Sequence, residues 1–258
     1  MLIGGKEMIR VKKISKKMNN KWVLEEVSFE VGDGQIVGLV GPNGAGKTTL
    51  LNIITGVWLA DTGEIEIDGV DISVGKEAIR QKIGFIPDAP YLYPKLTGRE
   101  FLSFVGTLYR LGSEKLNQKI SNVEKALELS PWMDEVMESY PRGIRQKMTF
   151  AAMLLHSPKI LILDEPLTHL EPKSGRLVKE ILQDRASQGA SILLSTHILE
   201  IAEKLCQRIV VIHQGKKIAE GSLQELRELT KNPSNNLEEI FLQLTGGEKV
   251  IELLRYLS

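Results

Sequence analysis

Gly41-Pro42-Asn43-Gly44-Ala45-Gly46-Lys47-Thr48-Thr49 comes directly after the apolar run Ile36-Val37-Gly38-Leu39-Val40, and this junction decides the fold. The segment is a full match to G-x-x-x-x-G-K-[ST]. A short buried strand delivers the chain into glycines whose backbone N–H groups converge on phosphate oxygens. The next helix, Lys47 to Thr55, turns its positive end toward the same anion. In this pattern Gly41, Asn43, Gly44, Ala45, Gly46, Lys47, Thr48 and Thr49 surround a nucleotide. Lys47 reaches the β- and γ-phosphates and the Thr48 hydroxyl ligates Mg²⁺. A glycine-rich turn matching by coincidence would lack the strand before it and the helix after it.

Working outward, runs with strand character recur at Ile83 to Ile86, Ile160 to Leu163, Ser191 to Leu194 and Ile209 to Ile212, separated by segments of helical periodicity. That alternation predicts an α/β fold, a parallel sheet flanked by helices. Leu24 to Val31 and Gly63 to Ile72 instead alternate apolar and polar residues, the latter around an Asp68-Gly69 turn, which predicts a separate antiparallel sheet. Between Gly98 and His156 strands disappear, and the helical pattern is broken only at Gly112-Ser113, Ser130-Pro131 and Pro141, so residues 98–156 are read as an inserted helical subdomain. Ser222 to Leu229 reads as a helix. Thr230 to Asn236 is a linker before two short amphipathic stretches, so residues 1–229 are taken as the main unit and 230–258 as a linker with a short helical extension.

Two further segments carry chemistry. Ile160-Leu161-Ile162-Leu163 runs into Asp164-Glu165-Pro166, and a buried strand ending in two acids beside a phosphate loop suits Mg²⁺ binding at Asp164 and activation of water by Glu165. Leu193-Leu194-Ser195-Thr196-His197 puts an imidazole past another apolar run, where it can orient the attacking water or bond the γ-phosphate. His156, His169 and His213 have no metal-ligand spacing and are read as structural or solvated.

At 258 residues the chain can form one large domain with a subdomain, on a prior of about 150 residues per domain. Basic and acidic residues balance at 33 each, so no bulk field recruits nucleic acid or an anionic membrane, and membrane association is expected through a protein partner. No run approaches the roughly 18 apolar residues of a spanning helix, and Met1 to Arg10 lacks a signal-peptide core, which predicts a soluble chain on the cytoplasmic side. The lone Cys206 excludes an internal disulfide and reads as a small buried hydrophobe.

In the order of its motifs the chain, from Met8 to Gly221, resembles the nucleotide-binding subunits of ABC transporters. The phosphate loop is succeeded by GFIPD (Gly84 to Asp88) at the Q-loop and YPRGIRQKM (Tyr140 to Met148) at the signature. LILDEP (Leu161 to Pro166), HLEP (His169 to Pro172) and STH (Ser195 to His197) then stand at the Walker B strand, D-loop and switch histidine. The resemblance implies a P-loop NTPase core of the RecA-like kind, ATP and Mg²⁺ as cofactors, and catalytic roles for Lys47, Glu165 and His197. It also implies two cassettes paired head to tail, as homodimer or heterodimer, with a separate transmembrane permease subunit at the cytoplasmic face of the membrane and no nucleic-acid partner.

Several positions depart from the family pattern. Asp88 replaces the Q-loop glutamine as a Mg²⁺ ligand, Glu171 replaces the D-loop aspartate, and Pro141, Arg142 and Ile144 replace the signature serine, a glycine and glutamine around the retained Gly143. These changes weaken the expected trans half of the site. Met18 aligns with the adenine-stacking aromatic, with Trp22 as the stand-in, and packing of Trp22 on its sheet is the competing reading. Arg142, Arg145 and Lys147 read as a basic helix face, either solvated or in the dimer interface. Pro90-Tyr91-Leu92-Tyr93-Pro94 reads as a docking segment for the permease, or as a pin for the helical subdomain. The Y-x-R-G-x-x-Q-K signature and the short C-terminal part resemble exporter-type cassettes. A non-transport ATPase of the same family, acting in assembly or regulation, is the alternative.

Overall fold

The computed structural model describes residues 6–89, 91–168, 170–230 and 236–246. His169, Pro90, most of the linker and the second C-terminal amphipathic stretch lie outside the described residues. Strands β1 (Glu7–Met18) and β2 (Lys21–Gly32) form a hairpin whose turn residues Asn19 and Asn20 both have positive φ, the conformation that a tight hairpin turn demands and asparagine tolerates. Strand β3 (Ile36–Val40) is buried at every position, as a strand covered on both faces must be. Helix α1 (Lys47–Ile54) comes next, then β4 (Thr62–Ile67) and β5 (Val70–Asp71), which pair across the Asp68-Gly69 turn. The first sheet has the order β2-β1-β4-β5 and is antiparallel.

After α2 (Lys76–Lys82) and β6 (Ile83–Ile86) the chain is helical: α3 (Gly98–Leu108), α4 (Ser113–Ala126) and α5 (Arg142–Leu155), with short 3-10 turns between the last two. The start of α3 is fixed by a capping box. The Thr97 hydroxyl accepts from Glu100 N, and the Glu100 carboxylate accepts from Thr97 N at 2.9 Å. The chain returns through β7 (Ile160–Asp164), α6 (Pro172–Ser187), β8 (Ser191–Thr196), α7 (Leu199–Leu205), β9 (Arg208–His213) and β10 (Lys216–Gly221). The second sheet has the order β10-β9-β3-β8-β7-β6, all parallel except the edge strand β10. Helices α8 (Leu223–Thr230) and α9 (Leu237–Leu244) pack Leu226, Leu237 and Ile240 against Ala202 and Val211.

This layering produces three apolar cores. One lies between the two sheets around α1, whose Leu50, Leu51, Ile53 and Ile54 are buried on several sides, as expected of a helix enclosed by two layers. A second joins the helical segment to the opposite face of the parallel sheet, and the third seats the C-terminal helices. Cys206 closes α7, and burial pushes its thiol up to about 12, consistent with an inert packing role. His156 stacks on Tyr109 at 3.7 Å and its Nε2 donates to Ile83 O at 3.1 Å, so this histidine is structural. Among the described residues no helix is long and apolar enough to cross a membrane.

Candidate functional site

The central strands β3, β8 and β7 end side by side, and the segments leaving their ends converge. After β3 the phosphate loop is shaped by two close approaches. A side chain at Gly41 would meet Ile212 O at 2.2 Å. One at Gly46 would meet Val23 O at 2.8 Å, and Gly46 has φ +106 where it begins α1. The turn between β9 and β10 pins the loop from behind, with Gly215 N donating to Ala45 O at 3.0 Å, and Leu50 N donates to Gly46 O at 2.9 Å as the helix starts. Lys47 is buried, and its Nζ donates to Gly41 O at 2.8 Å and Pro42 O at 3.2 Å. Burial lowers its pKa below the ordinary lysine value, while the carboxylates of Glu165 and Asp164 oppose the shift.

Asp164 is the last residue of β7 and only 1 % exposed. Its register partner on β8 is Ser195, whose hydroxyl donates to the Asp164 carboxylate, and the Thr48 hydroxyl lies near enough to favour the charged form of the same carboxylate. Burial raises the Asp164 pKa above the usual carboxylate range, and both hydroxyls oppose the rise. The chain then reverses at Glu165, whose φ of +49 is left-handed, a conformation that costs a residue with a Cβ roughly 1–2 kcal/mol. The reversal brings the Glu165 carboxylate to 2.9 Å from His197 Nδ1, which donates to it, and to 3.7 Å from Lys47 Nζ. Thr168 Oγ1 lies 3.5 Å from the other carboxylate oxygen.

These groups face an open cleft of about 340 Å³ lined by Asn43, Gly44, Gly46, Thr48, Asp88 and His197, with Lys47, Thr49, Glu165, Thr168 and Val23 completing it. Gly41 and Ala45 are buried and shape the loop without lining the cleft. From the first sheet the lining residue is Val23. Trp22 is 46 % exposed with the Lys17 ammonium 4.3 Å from its ring centroid, and neither it nor Met18 is among the lining residues. Sequence reading missed Val23 and Thr168. Thr168 was within reach, three residues past Glu165, where one turn returns a hydroxyl to the carboxylate.

Among the described residues no cluster of three acids, imidazoles or thiols could hold a metal by itself. The oxygen donors Thr48 and Asp88 on the cleft, with Asp164 behind Thr48, suit a hard cation whose remaining ligands are phosphate oxygens and water.

The sequence profile of the ABC transporter family matches residues 24–168. The chain belongs to the ABC transporter family. It is an ATP-binding cassette and an ATPase. It is 34 % identical over 224 residues to the Nod factor export ATP-binding protein I of Ralstonia nicotianae, covering 87 % of this chain and 70 % of that protein. Its fold is similar to the solved ATP-binding subunit of an ABC transporter, with a TM-score of 0.87, 32 % identity, and coverage of 92 % of this chain and 99 % of that one. It is also similar to a dimeric ATP-binding cassette in a post-hydrolysis state bound to ADP and Pi. There the TM-score is 0.77 and the identity 26 %, over 83 % of this chain and 98 % of that one.

The cassette's signature segment lies outside the cleft lining, at the start of α5. Pro141 is the residue immediately before the first helical position, with ψ 155, and no side chain caps the helix. Arg142 is exposed, while Gly143 and Ile144 are half-buried. Arg145 is turned back to hold the preceding loop, donating to Met137 O at 3.1 Å and Tyr140 O at 3.3 Å. Lys147 is buried, with Glu128 at 4.0 Å. The expected basic face therefore does not exist as one surface, because five residues advance a helix by about 140°. Gln146, also buried, donates to Pro166 O at 3.1 Å and ties α5 to the turn that carries Glu165.

Proposed function

We propose that this cassette hydrolyses ATP at the junction of β3, β7 and β8, in a dimer whose closure drives a separate transmembrane permease. The observation that carries the reading is the position of the Glu165 carboxylate, 2.9 Å from His197 Nδ1 and 3.7 Å from Lys47 Nζ, over a phosphate loop. On nucleotide entry Lys47 exchanges its loop carbonyls for phosphate oxygens. The loop N–H groups and the N-terminus of α1 take up phosphate charge. Glu165 accepts a proton from the water that attacks the γ-phosphorus, and the bond to the bridging oxygen breaks to give ADP and phosphate. His197 holds the carboxylate in place for that transfer.

Thr48, Asp164 and Asp88 are the residues that would hold Mg²⁺, which supplies charge neutralisation on the phosphates. In the dimer, Gly143 and the start of α5 of one copy offer N–H donors to the ATP of the other, with Pro141, Arg142 and Ile144 beside it. Val23 and the Trp22 strand lie on the adenine side.

A surface beside the Asp88 segment supports the permease reading. Tyr91 is 80 % exposed, and Tyr93 packs on Phe104 at 5.4 Å with Leu108 nearby in sequence and also exposed. An apolar, aromatic patch of this kind suits an amphipathic helix of a membrane partner at the cytoplasmic face. Similarity to a Nod factor export protein favours the export direction. The test is capture of tagged Glu165→Gln protein with Mg·ATP from gently solubilised membranes. Co-purification of a polytopic membrane protein is expected. Recovery of soluble partners alone, from a preparation in which a known membrane complex survives, would overturn the transport reading.

A further inference from the structure

Ser195 contributes nothing to the cleft lining and is 0 % exposed, yet its hydroxyl both donates and accepts, and its two partners are consecutive acids. It donates to the carboxylate of Asp164 and accepts from the backbone N–H of Glu165 at 3.1 Å. Parallel register places it opposite Asp164 across β7 and β8, two residues before His197. Glu165 holds a left-handed backbone at φ +49, and such a conformation persists only where its surroundings over-determine it. Thr168 N to Glu165 O at 3.2 Å stabilises the far side of the reversal. Ser195 stabilises the near side.

We propose that Ser195 is a positioning residue for hydrolysis: one buried hydroxyl sets the orientation of the Asp164 carboxylate and locks the backbone reversal that aims Glu165 at His197. An apolar residue at this place on β8 would fill the same space but leave the Glu165 N–H unpaired at the point where the strand turns over. Ser195 acts only through its two acidic neighbours, so its removal should alter turnover without altering how phosphates are cradled. The inference rests on the assignment of Glu165 as the base.

The test compares Ser195→Ala and Ser195→Thr in the full chain. In Ser195→Ala, kcat is expected to fall roughly 10–100-fold, the usual loss for a group that orients catalytic ligands, with ATP affinity unchanged. The Glu165 amide is expected to exchange with solvent at least about tenfold faster, while Ile162 and Leu163 on the same strand keep their protection. Ser195→Thr, which retains the hydroxyl, should preserve both properties. In a Glu165→Gln background, Ser195→Ala should lower residual turnover by a smaller factor than it does alone, because the part of its effect that runs through Glu165 is already gone and only the part through Asp164 remains. An unchanged kcat, or an unchanged Glu165 amide, in Ser195→Ala overturns the inference. So does loss of protection along all of β7 together with loss of ATP binding, which marks a merely structural role. Failure of the base assignment itself reads differently, as full turnover in Glu165→Gln alone.

Discussion

Around the phosphate loop the charged side chains Lys47, Asp164 and Glu165 are each held by another group, whereas at the start of α5 the backbone carries the structure. Lys47 grips two loop carbonyls, Asp164 is held by the Ser195 hydroxyl, and Glu165 is met by His197 and Lys47. At the other place Pro141 begins the helix without a side-chain cap, Arg142 projects into solvent, and Arg145 holds the preceding loop from behind. A site built of side-chain partners depends on residue identity. One built of helix-start N–H groups depends on where the helix begins.

The largest effect that would break this contrast belongs to Glu165. In Glu165→Gln, Mg·ATP binding should persist while phosphate release slows by on the order of 10² or more, and wild-type turnover would remove Glu165 from the role of base. Lys47→Ala should raise the ATP Kd roughly 10–100-fold, the equivalent of about 1.5–3 kcal/mol of charge-assisted bonding, measured by calorimetry. Equal affinity in the two proteins would mean that the loop N–H groups suffice without the ammonium.

The far end of α5 gives a test of stability rather than turnover. Burial, with Lys119 nearby, holds the pKa of His156 down to about 4, below its ordinary value of 6.5. Since the folded pKa is depressed, the unfolded chain binds the proton first. The stability is present in full above pH 6.5 and is lost as pH falls toward 4, by about 1–3 kcal/mol. Urea unfolding at about pH 7 and again near pH 4.5 should reveal this slope, and His156→Phe should flatten it. A slope that survives the substitution would move its origin to the carboxylates. The smallest effect is expected at Pro141→Ser, which restores a hydroxyl beside Gly143 and should raise ATPase activity or ATP-dependent dimerisation by a few-fold, on the scale of one neutral hydrogen bond. No change in either would show that the backbone donors alone suffice.

The same contrast decides how much was legible in the sequence. The parallel strands, the phosphate loop, the two acids where β7 ends and the histidine after β8 could be read directly, because each belongs to or closes a continuous apolar run and the chemistry permits few residue types. The end of the cleft that β2 lines could not. The β1–β2 pairing shifts register between Val11 and Ile14, again before Lys16 and before Lys17, with Lys13 and Glu26 both at positive φ. Each such slip turns the next side chains to the other face, so spacing alone could not place Val23 on the cleft. Lys147 was misplaced for a simpler reason. Proximity in sequence suggested a cluster with Arg142 and Arg145, but helical rotation separates them and leaves Lys147 buried beside Glu128.

The two bonds from the Lys47 ammonium to Gly41 O and Pro42 O have a consequence for the heat and order of binding. An empty glycine-rich loop would ordinarily be a flexible one, and ligand would have to immobilise it. Two carbonyl bonds from the lysine close the loop into a ring, so on the proposed role of Lys47 nucleotide entry would exchange oxygen partners rather than order the loop. Little conformational entropy is then lost on binding, and the free energy of phosphate contact is left for the steps that come after it.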